Sequence, residues 1–198
     1  NNDNDAAPLL CAGITTFNPL RNSGARTGGV VAVQGIGGLG HLGIQYARKM
    51  GFRTVAISSG ADKEQLAREL GATDYMDTSK GSAADLLQKL GGADVILTTA
   101  PHSQSIAPLL GGLKPRGKLL IVAAAADPME IVPAMLLSGK SISGWPSGSA
   151  ADWEDTLSFS AENHVLPMIE TFPLEKVKEA YERMMSNKAR FRVVLTVS

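Results

Sequence analysis

The chain has 198 residues, 44% of them hydrophobic and 19% charged, and its 19 basic residues cancel its 19 acidic ones. That composition supports a sizeable core and excludes both the basic surplus of a nucleic-acid binder and an acidic solvating tail. A single Cys rules out an internal disulfide, and a polar start with no apolar run of spanning length leaves a reducing, cytoplasmic setting and no membrane partner as the expectation.

The first marked element is Val30–Gln34 (VVAVQ), a short β-branched run ended by glycine, which reads as a buried strand. Residues 39–50 then read as a helix, with Leu39, Leu42, Tyr46 and Met50 on one stripe. Residues 54–58 predict a second strand, 62–70 a helix stopped at Gly71, and 74–76 a short third strand. A helix over 83–90 closes at Gly91-Gly92 and leads into a fourth strand over 94–98. A short helix over 103–110 and a turn at Lys114-Pro115-Arg116-Gly117 precede a fifth strand over 118–123. Residues 141–145 predict a sixth strand, 154–163 and 175–187 helices, and 191–197 a last strand.

This alternation of helices with continuous apolar strands predicts an α/β fold: a Rossmann-type, doubly wound, six-stranded parallel sheet covered on both faces. The region from Met168 onward does not extend that count neatly. It is expected to add edge strands or to belong with another domain.

Between the first strand and its helix lies Gly35-Ile36-Gly37-Gly38-Leu39-Gly40, a G-x-G-x-x-G string in the strand–turn–helix setting that gives the string its meaning. Gly35 permits the tight turn, Gly37 lets the backbone approach a pyrophosphate, and Gly40 lets the helix pack closely on the sheet. The helix start then meets the anion with free N–H groups and the positive end of its dipole. A phosphate-binding loop of the Gly-Lys-Ser/Thr kind is excluded, because His41 and Leu42 follow Gly40.

An NAD enzyme of this fold carries an acidic residue at the tip of the second strand to hold the ribose 2′-hydroxyl. Here that tip reads Ser58-Ser59-Gly60-Ala61-Asp62-Lys63. Two hydroxyls and a Lys suit a 2′-phosphate, so NADP is the expected cofactor. Asp62 keeps NAD as the alternative.

These residues resemble the zinc-containing medium-chain alcohol dehydrogenases, in particular the cinnamyl-alcohol-dehydrogenase-like branch. The resemblance is carried by the 6–16 segment (APLLCAGITT and its leading Ala), by Gly35–Gly40, by Ser58-Ser59 with Lys63, and by Arg190-Phe191-Arg192-Val193-Val194-Leu195. It implies that Cys11 is one ligand of a catalytic zinc and that Thr15 touches the nicotinamide. It implies that Gly35, Ile36, Gly37, Gly38, Leu39 and Gly40 hold the pyrophosphate and that Ser58, Ser59 and Lys63 grip the 2′-phosphate. It places Thr99, Ala123, Trp145, Pro146 and Ser147 beside the nicotinamide and Arg192 near the cofactor phosphates. Residues 1–24 would form a linking helix, 25–165 the dinucleotide-binding domain, and 166–198 a segment returning to a GroES-like catalytic domain. The resemblance also implies a homodimer through the sixth strand.

The sequence departs from the family in lacking that catalytic domain, the other zinc ligands, the structural zinc lobe and the proton relay. The return segment is expected to lack partners and to expose apolar surface. His41, His102 and His164 each stand alone; His41 is expected to cap or solvate the first helix, and the other two to sit in loops. The implied parent activity is hydride transfer between an alcohol or aldehyde and nicotinamide on a small-molecule substrate, with this chain inactive alone. A zinc-independent quinone or enoyl reductase, which a buried Cys11 would favour, and a non-catalytic nucleotide-binding module remain as alternatives.

Overall fold

The structure is a computed structural model and describes residues 3–197. Helix α1 (Asp3–Pro8), a π-helical turn (Leu9–Gly13) and α2 (Ile14–Arg21) follow one another and lead to β1 (Val30–Gln34). Alternation then proceeds through α3 (Gly40–Lys49), β2 (Arg53–Ser58), α4 (Glu64–Glu69), β3 (Asp74–Asp77), α5 (Ala83–Lys89) and β4 (Ala93–Thr98). After α6 (Ser103–Ile106) and a 3-10 turn (Ala107–Gly112) come β5 (Leu113–Ile121), β6 (Ser141–Gly144) and α7 (Ala150–Asn163). The chain ends with β7 (Ile169–Pro173), α8 (Val177–Met185) and β8 (Arg192–Thr196).

β1 to β6 form one six-stranded sheet in the order β3-β2-β1-β4-β5-β6, parallel throughout. This is the doubly wound arrangement, and the chain reverses its direction of travel across the sheet between β1 and β4. Alternate residues of β1 serve opposite faces, as the strand period requires. Val31 and Val33 pack with Leu9, Phe17, Leu42 and Tyr46, whereas Val30 and Ala32 pack with Leu87, Ile106, Leu110 and Leu119. A sheet buried on both sides has no use for polar alternation, which is why its strands read as unbroken apolar runs.

Three local features differ from the sequence expectation. The Lys114–Gly117 turn lies inside β5 as a bulge: Ala93 pairs with Leu113 and Val95 with Lys118, so the β5 side carries the extra residues. Arg116 takes a positive φ of 63° there, which kinks the strand without ending it. The helix expected over 103–110 tightens to a 3-10 turn at Ala107, because Pro108 has no N–H to extend an α-helical ladder. α7 begins at Ala150, earlier than its apolar pattern suggested, because Ser149 and Asp152 close a capping box.

The C-terminal strands are not partnerless. β7 and β8 pair with each other in parallel, joined by α8, as a separate two-stranded sheet. The lobe does expose apolar side chains, among them Val177, Tyr181, Met184 and Leu195. At its seam with the rest of the chain, α1 packs against β8, and side chains of α3 bond the segment leading into β7. Gln45 Nε2 donates to the Leu166 carbonyl at 2.9 Å and its Oε1 accepts from the Leu166 amide at 3.2 Å.

His41 completes the seam, and the structure corrects the expectation that it is solvated: it is fully buried. Its Nε2 accepts the Met168 amide at 3.1 Å, so the ring proton must sit on Nδ1, which donates to the Gly37 carbonyl at 2.8 Å. The ring packs on Phe191 with centroids 5.0 Å apart. One neutral imidazole thus joins the glycine loop to both ends of the lobe.

The glycine loop itself is held by a close approach. A Cβ on residue 40 would fall 1.7 Å from the Gly35 carbonyl oxygen, and Gly35 needs a φ of 89° to leave the sheet. Gly40→Ala is therefore expected to cost about 3 kcal/mol or more, read as a lower midpoint in urea unfolding. A midpoint equal to that of the parent chain would show that the contact can relax.

Burial, aided by the Arg192 charge, pulls the His41 pKa from 6.5 to about 4 against the opposing bond to Gly37. Below pH 6.5 the unfolded chain takes a proton that the folded chain refuses until about pH 4. Stability therefore falls as pH drops through that window. The loss should total on the order of 3 kcal/mol. Urea unfolding between pH 7 and pH 4 (about the span of the two pKa values) should show a shallower decline in His41→Asn, which keeps a donor for Gly37 but does not titrate. Equal slopes in both proteins would reject this assignment. The carboxylates held low by their partners, such as Glu170 and Asp77, are lost at lower pH and are common to both proteins.

Candidate functional site

Because the strands run parallel, the residues that follow β1, β2, β4, β5 and β6 all emerge at one edge of the sheet. Ligands of open α/β sheets bind at this carboxyl edge, where the winding reverses. Gly35–Gly40 leaves β1 at that reversal. The Gly35 amide still donates to the Ile57 carbonyl of β2 at 2.9 Å, and Thr99 Oγ1, just past β4, donates to the Gln34 carbonyl at 2.8 Å. The loop is thus pinned from both neighbouring strands before it turns into α3. No atom lies within 4 Å of the position a Gly37 Cβ would occupy, so an approaching group finds open backbone there. At the start of α3 the His41 and Leu42 amides are taken by the Gly37 and Leu39 carbonyls, so the amides left to an incoming group are those of the loop before them.

Positive side chains gather around this loop. The Arg192 guanidinium lies over Gly38, its Nη1 3.0 Å from the place of a Gly38 Cβ. Lys63 Nζ, at the start of α4, donates to the Ile36 carbonyl at 3.0 Å. With Arg190 they line a cleft of about 350 Å³ between the glycine loop and the β7–β8 lobe. Burial lowers the Lys63 pKa, and the Arg190 charge lowers it further, with Asp62 opposing. Among the described residues, none of these three cations has an ion-pair partner.

At the end of β2, Ser58 is half-buried and Ser59 is exposed. Their loop is braced by Asp77, which accepts from the Gly60 amide at 2.7 Å, and by Tyr75, whose hydroxyl donates to the Gly60 carbonyl at 2.6 Å. Leu39 sits half-buried at the turn into α3 and Ile36 is buried beneath it.

The second group of expected residues lies farther along the same edge. Thr99, Ala123 and Trp145 follow β4, β5 and β6 and are half-buried, while Pro146 and Ser147 are exposed. Thr15 of α2 reaches this group: its Oγ1 is 3.3 Å from Ser147 Oγ. Asn18 Nδ2 donates to the Ser147 carbonyl at 3.1 Å. The structure therefore brings Thr15 to the β6 end, while Lys63, Arg190 and Arg192 collect around Gly35–Gly40.

Cys11 is exposed in the π-helical turn. Among the described residues no group of three His, Cys, Asp or Glu could hold a metal ion, and His102 and His164 are exposed in connecting segments. No helix among the described residues is long and apolar enough to cross a membrane.

Two residues of this region carry more than the sequence reading gave them. Gln34 ties β1 to the other half of the sheet: its Oε1 accepts from Thr98 Oγ1 at 2.5 Å and its Nε2 donates to the Ser105 carbonyl at 2.9 Å. A polar residue ending an apolar strand was the visible signal. Arg190 lies in the cleft with Arg192, brought there by the bend that precedes β8, for which the sequence carried no signal.

Comparison with known proteins gives the family of this site. A zinc-binding dehydrogenase family model matches residues 38–162. The chain is 48% identical over 192 residues to the alcohol dehydrogenase notN of Aspergillus sp. (strain MF297-2), covering 96% of this chain and 56% of that protein. The cinnamyl alcohol dehydrogenase structure from Sorghum bicolor superposes with a TM-score of 0.84 at 33% identity, over 97% of this chain and 55% of the other. The Helicobacter pylori enzyme of the same name, solved with NADP(H), gives 0.81 at 28% identity, over 96% and 54% of the two chains. The chain thus spans about half the length of these relatives. With its six-stranded parallel sheet, its pinned glycine loop and these matches, the chain belongs to the zinc-binding dehydrogenase family, in its NAD(P)-binding portion.

Proposed function

We propose that the chain is the cofactor-binding portion of an NADP-dependent, zinc-type alcohol dehydrogenase. The observation that carries this reading is the convergence of three unpaired cations on a glycine loop at the switch point, beside a β2 tip that ends in Ser58 and Ser59. Each part has a task. Gly35–Gly40 and the start of α3 cradle the diphosphate, with Arg192 closing over it. Ser58, Ser59 and Lys63 hold the 2′-phosphate with donors and charge, where a carboxylate would repel it. Thr15, Thr99, Ala123 and the Trp145-Pro146-Ser147 stretch border the nicotinamide and fix which ring face meets the substrate. When bound, the nicotinamide exchanges a hydride with an alcohol or aldehyde carbon.

Cys11 would supply one thiolate to a catalytic zinc. Its exposure suits a ligand that reaches outward, and disfavours the buried structural thiol on which the zinc-independent quinone or enoyl reductase reading rests. One donor does not make a site, so the remaining ligands and most of the substrate pocket fall to the rest of the parent enzyme. On this reading residues 1–24 link the two halves, 25–165 bind the cofactor, and 166–198 return toward the catalytic half. The β6 edge, Ser141–Gly144, is the proposed dimer contact, because an unpaired parallel edge is ready to bond a second copy.

Fluorescence titration of the chain with NADPH and NADH tests the assignment. NADPH is expected to bind at least about tenfold more tightly, the worth of one charge-assisted contact. Lys63→Ala should remove most of that preference while leaving NADH binding nearly unchanged. NADH binding more tightly than NADPH would reject the phosphate grip, and no dinucleotide binding at all would reject the whole reading.

A further inference from the structure

We propose that Arg190, a residue of the C-terminal lobe, is a specificity-determining residue that joins Lys63 across the cleft to bind the 2′-phosphate of the cofactor. The inference rests on the NADP reading above and extends it to a residue outside the β2–α4 segment.

The geometry supports it in three ways. First, Arg190 is held in place by its main chain, leaving its guanidinium uncommitted. Its amide donates to Glu170 Oε1 at 2.8 Å, while the Glu170 carboxylate is taken up by Arg183 at 2.7 and 3.0 Å. The guanidinium rests over the Phe191 ring, 5.5 Å from its centroid, which steadies the group and leaves its N–H edge open. Second, Arg190 and Lys63 line the same cleft from opposite sides with no anion between them. Lys63 Nζ spends one of its three donors on the Ile36 carbonyl and keeps two. Asp62 acts on Lys63 and Glu170 on Arg190, but neither carboxylate pairs with these side chains, and Glu170 is already paired with Arg183, so the two like charges still favour an entering dianion.

Third, the two arginines divide the anion between them. Arg192 covers Gly38 at the start of α3, where a diphosphate is cradled. Arg190 faces Lys63, which opens α4 directly after the β2 tip, where the ribose of a dinucleotide lies. A phosphate on the 2′-oxygen would therefore meet Lys63 from the β2 side and Arg190 from the lobe side. The neutral His41 bridge between Gly37 and Met168 holds the lobe at that distance without adding a fourth charge.

The experiment compares NADPH and NADH affinity in the parent chain, Arg190→Gln and Arg192→Gln. Arg190→Gln should weaken NADPH about tenfold and leave NADH within about twofold, as loss of one charge-assisted contact to the extra phosphate requires. Arg192→Gln should weaken both ligands alike. Arg190→Glu, which places a carboxylate against the 2′-phosphate, should bring the preference to NADH or close to it. The side chain of residue 190 is exposed and its structural bond is made by the main chain, so these variants spare the fold. Equal weakening of both ligands by Arg190→Gln would assign Arg190 to the diphosphate and overturn the proposal; so would no change in either. A parent chain that does not prefer NADPH would remove the NADP reading and this inference with it. A parent chain that does, beside an Arg190→Gln that keeps the preference, would remove this inference alone.

Discussion

The contact between Gly40 and the carbonyl of Gly35 governs the functional half of this molecule. It presses the first turn of α3 onto the end of β1, closer than any side chain would permit. That closeness gives the turn its tightness, and the tightness aims the amides of the loop before α3 out over the carboxyl edge of the sheet. The bonds from Gly35 to Ile57 and from Thr99 to Gln34 then fix the loop to β2 and to β4. Gln34 adds Thr98 and the start of α6 to the same anchorage. A phosphate cradle built in this way is stiff before any ligand arrives, and so loses little freedom on binding.

The β7–β8 lobe belongs to the same mechanical unit. It pairs with no strand of the main sheet, and its strands alone would be marginal. What seats it is α1, which packs against β8, together with the side of α3, through Gln45 and His41. The His41 contact is unusual in its demands. Its two ring nitrogens act in opposite senses, one donating to the glycine loop and one accepting from Met168, so only the neutral ring satisfies both. Burial keeps it neutral. The lobe therefore stands at a defined distance from the phosphate loop, and its two arginines arrive there with it.

Much of this could be read from the residues, and the limits follow from what each signal measures. Apolar runs such as VVAVQ and DVILT located central strands because a strand buried on both faces admits little else. The glycine string located the cradle because each of its positions has a separate steric reason. Where the reading failed, the deciding partner was distant in sequence. His41 looked like a helix-start residue open to water because nothing local shows Phe191 and Met168 closing over it. Lys114–Gly117 looked like a turn because Pro and Gly punctuate chains, yet pairing with β4 on either side keeps it within a strand. The return segment looked partnerless because periodicity cannot show that Ile169–Pro173 and Arg192–Thr196 would pair with each other across α8. Arg190 went unassigned for the same reason: its relation to Lys63 exists only after the lobe has folded back.

The electrostatics of the cleft run against the stability of the empty chain. Ordinary surfaces intersperse charges of both signs, and elsewhere this chain does so: Arg21 pairs with Asp152 and Asp155, Arg53 with Asp74, and Arg183 with Glu170. Around the glycine loop it does not. Lys63 is partly buried, faces another cation, and carries a pKa lowered by both circumstances. Asp62 and Glu170 act on Lys63 and Arg190 from outside, but among the described residues no carboxylate lines the cleft with the three cations. Leaving that position to solvent costs the folded state some favourable pairing, and it is the condition under which an incoming phosphate supplies the missing charge. The unpaired cluster and the pinned loop answer two parts of the same requirement: one provides the field, and the other provides amides placed to use it.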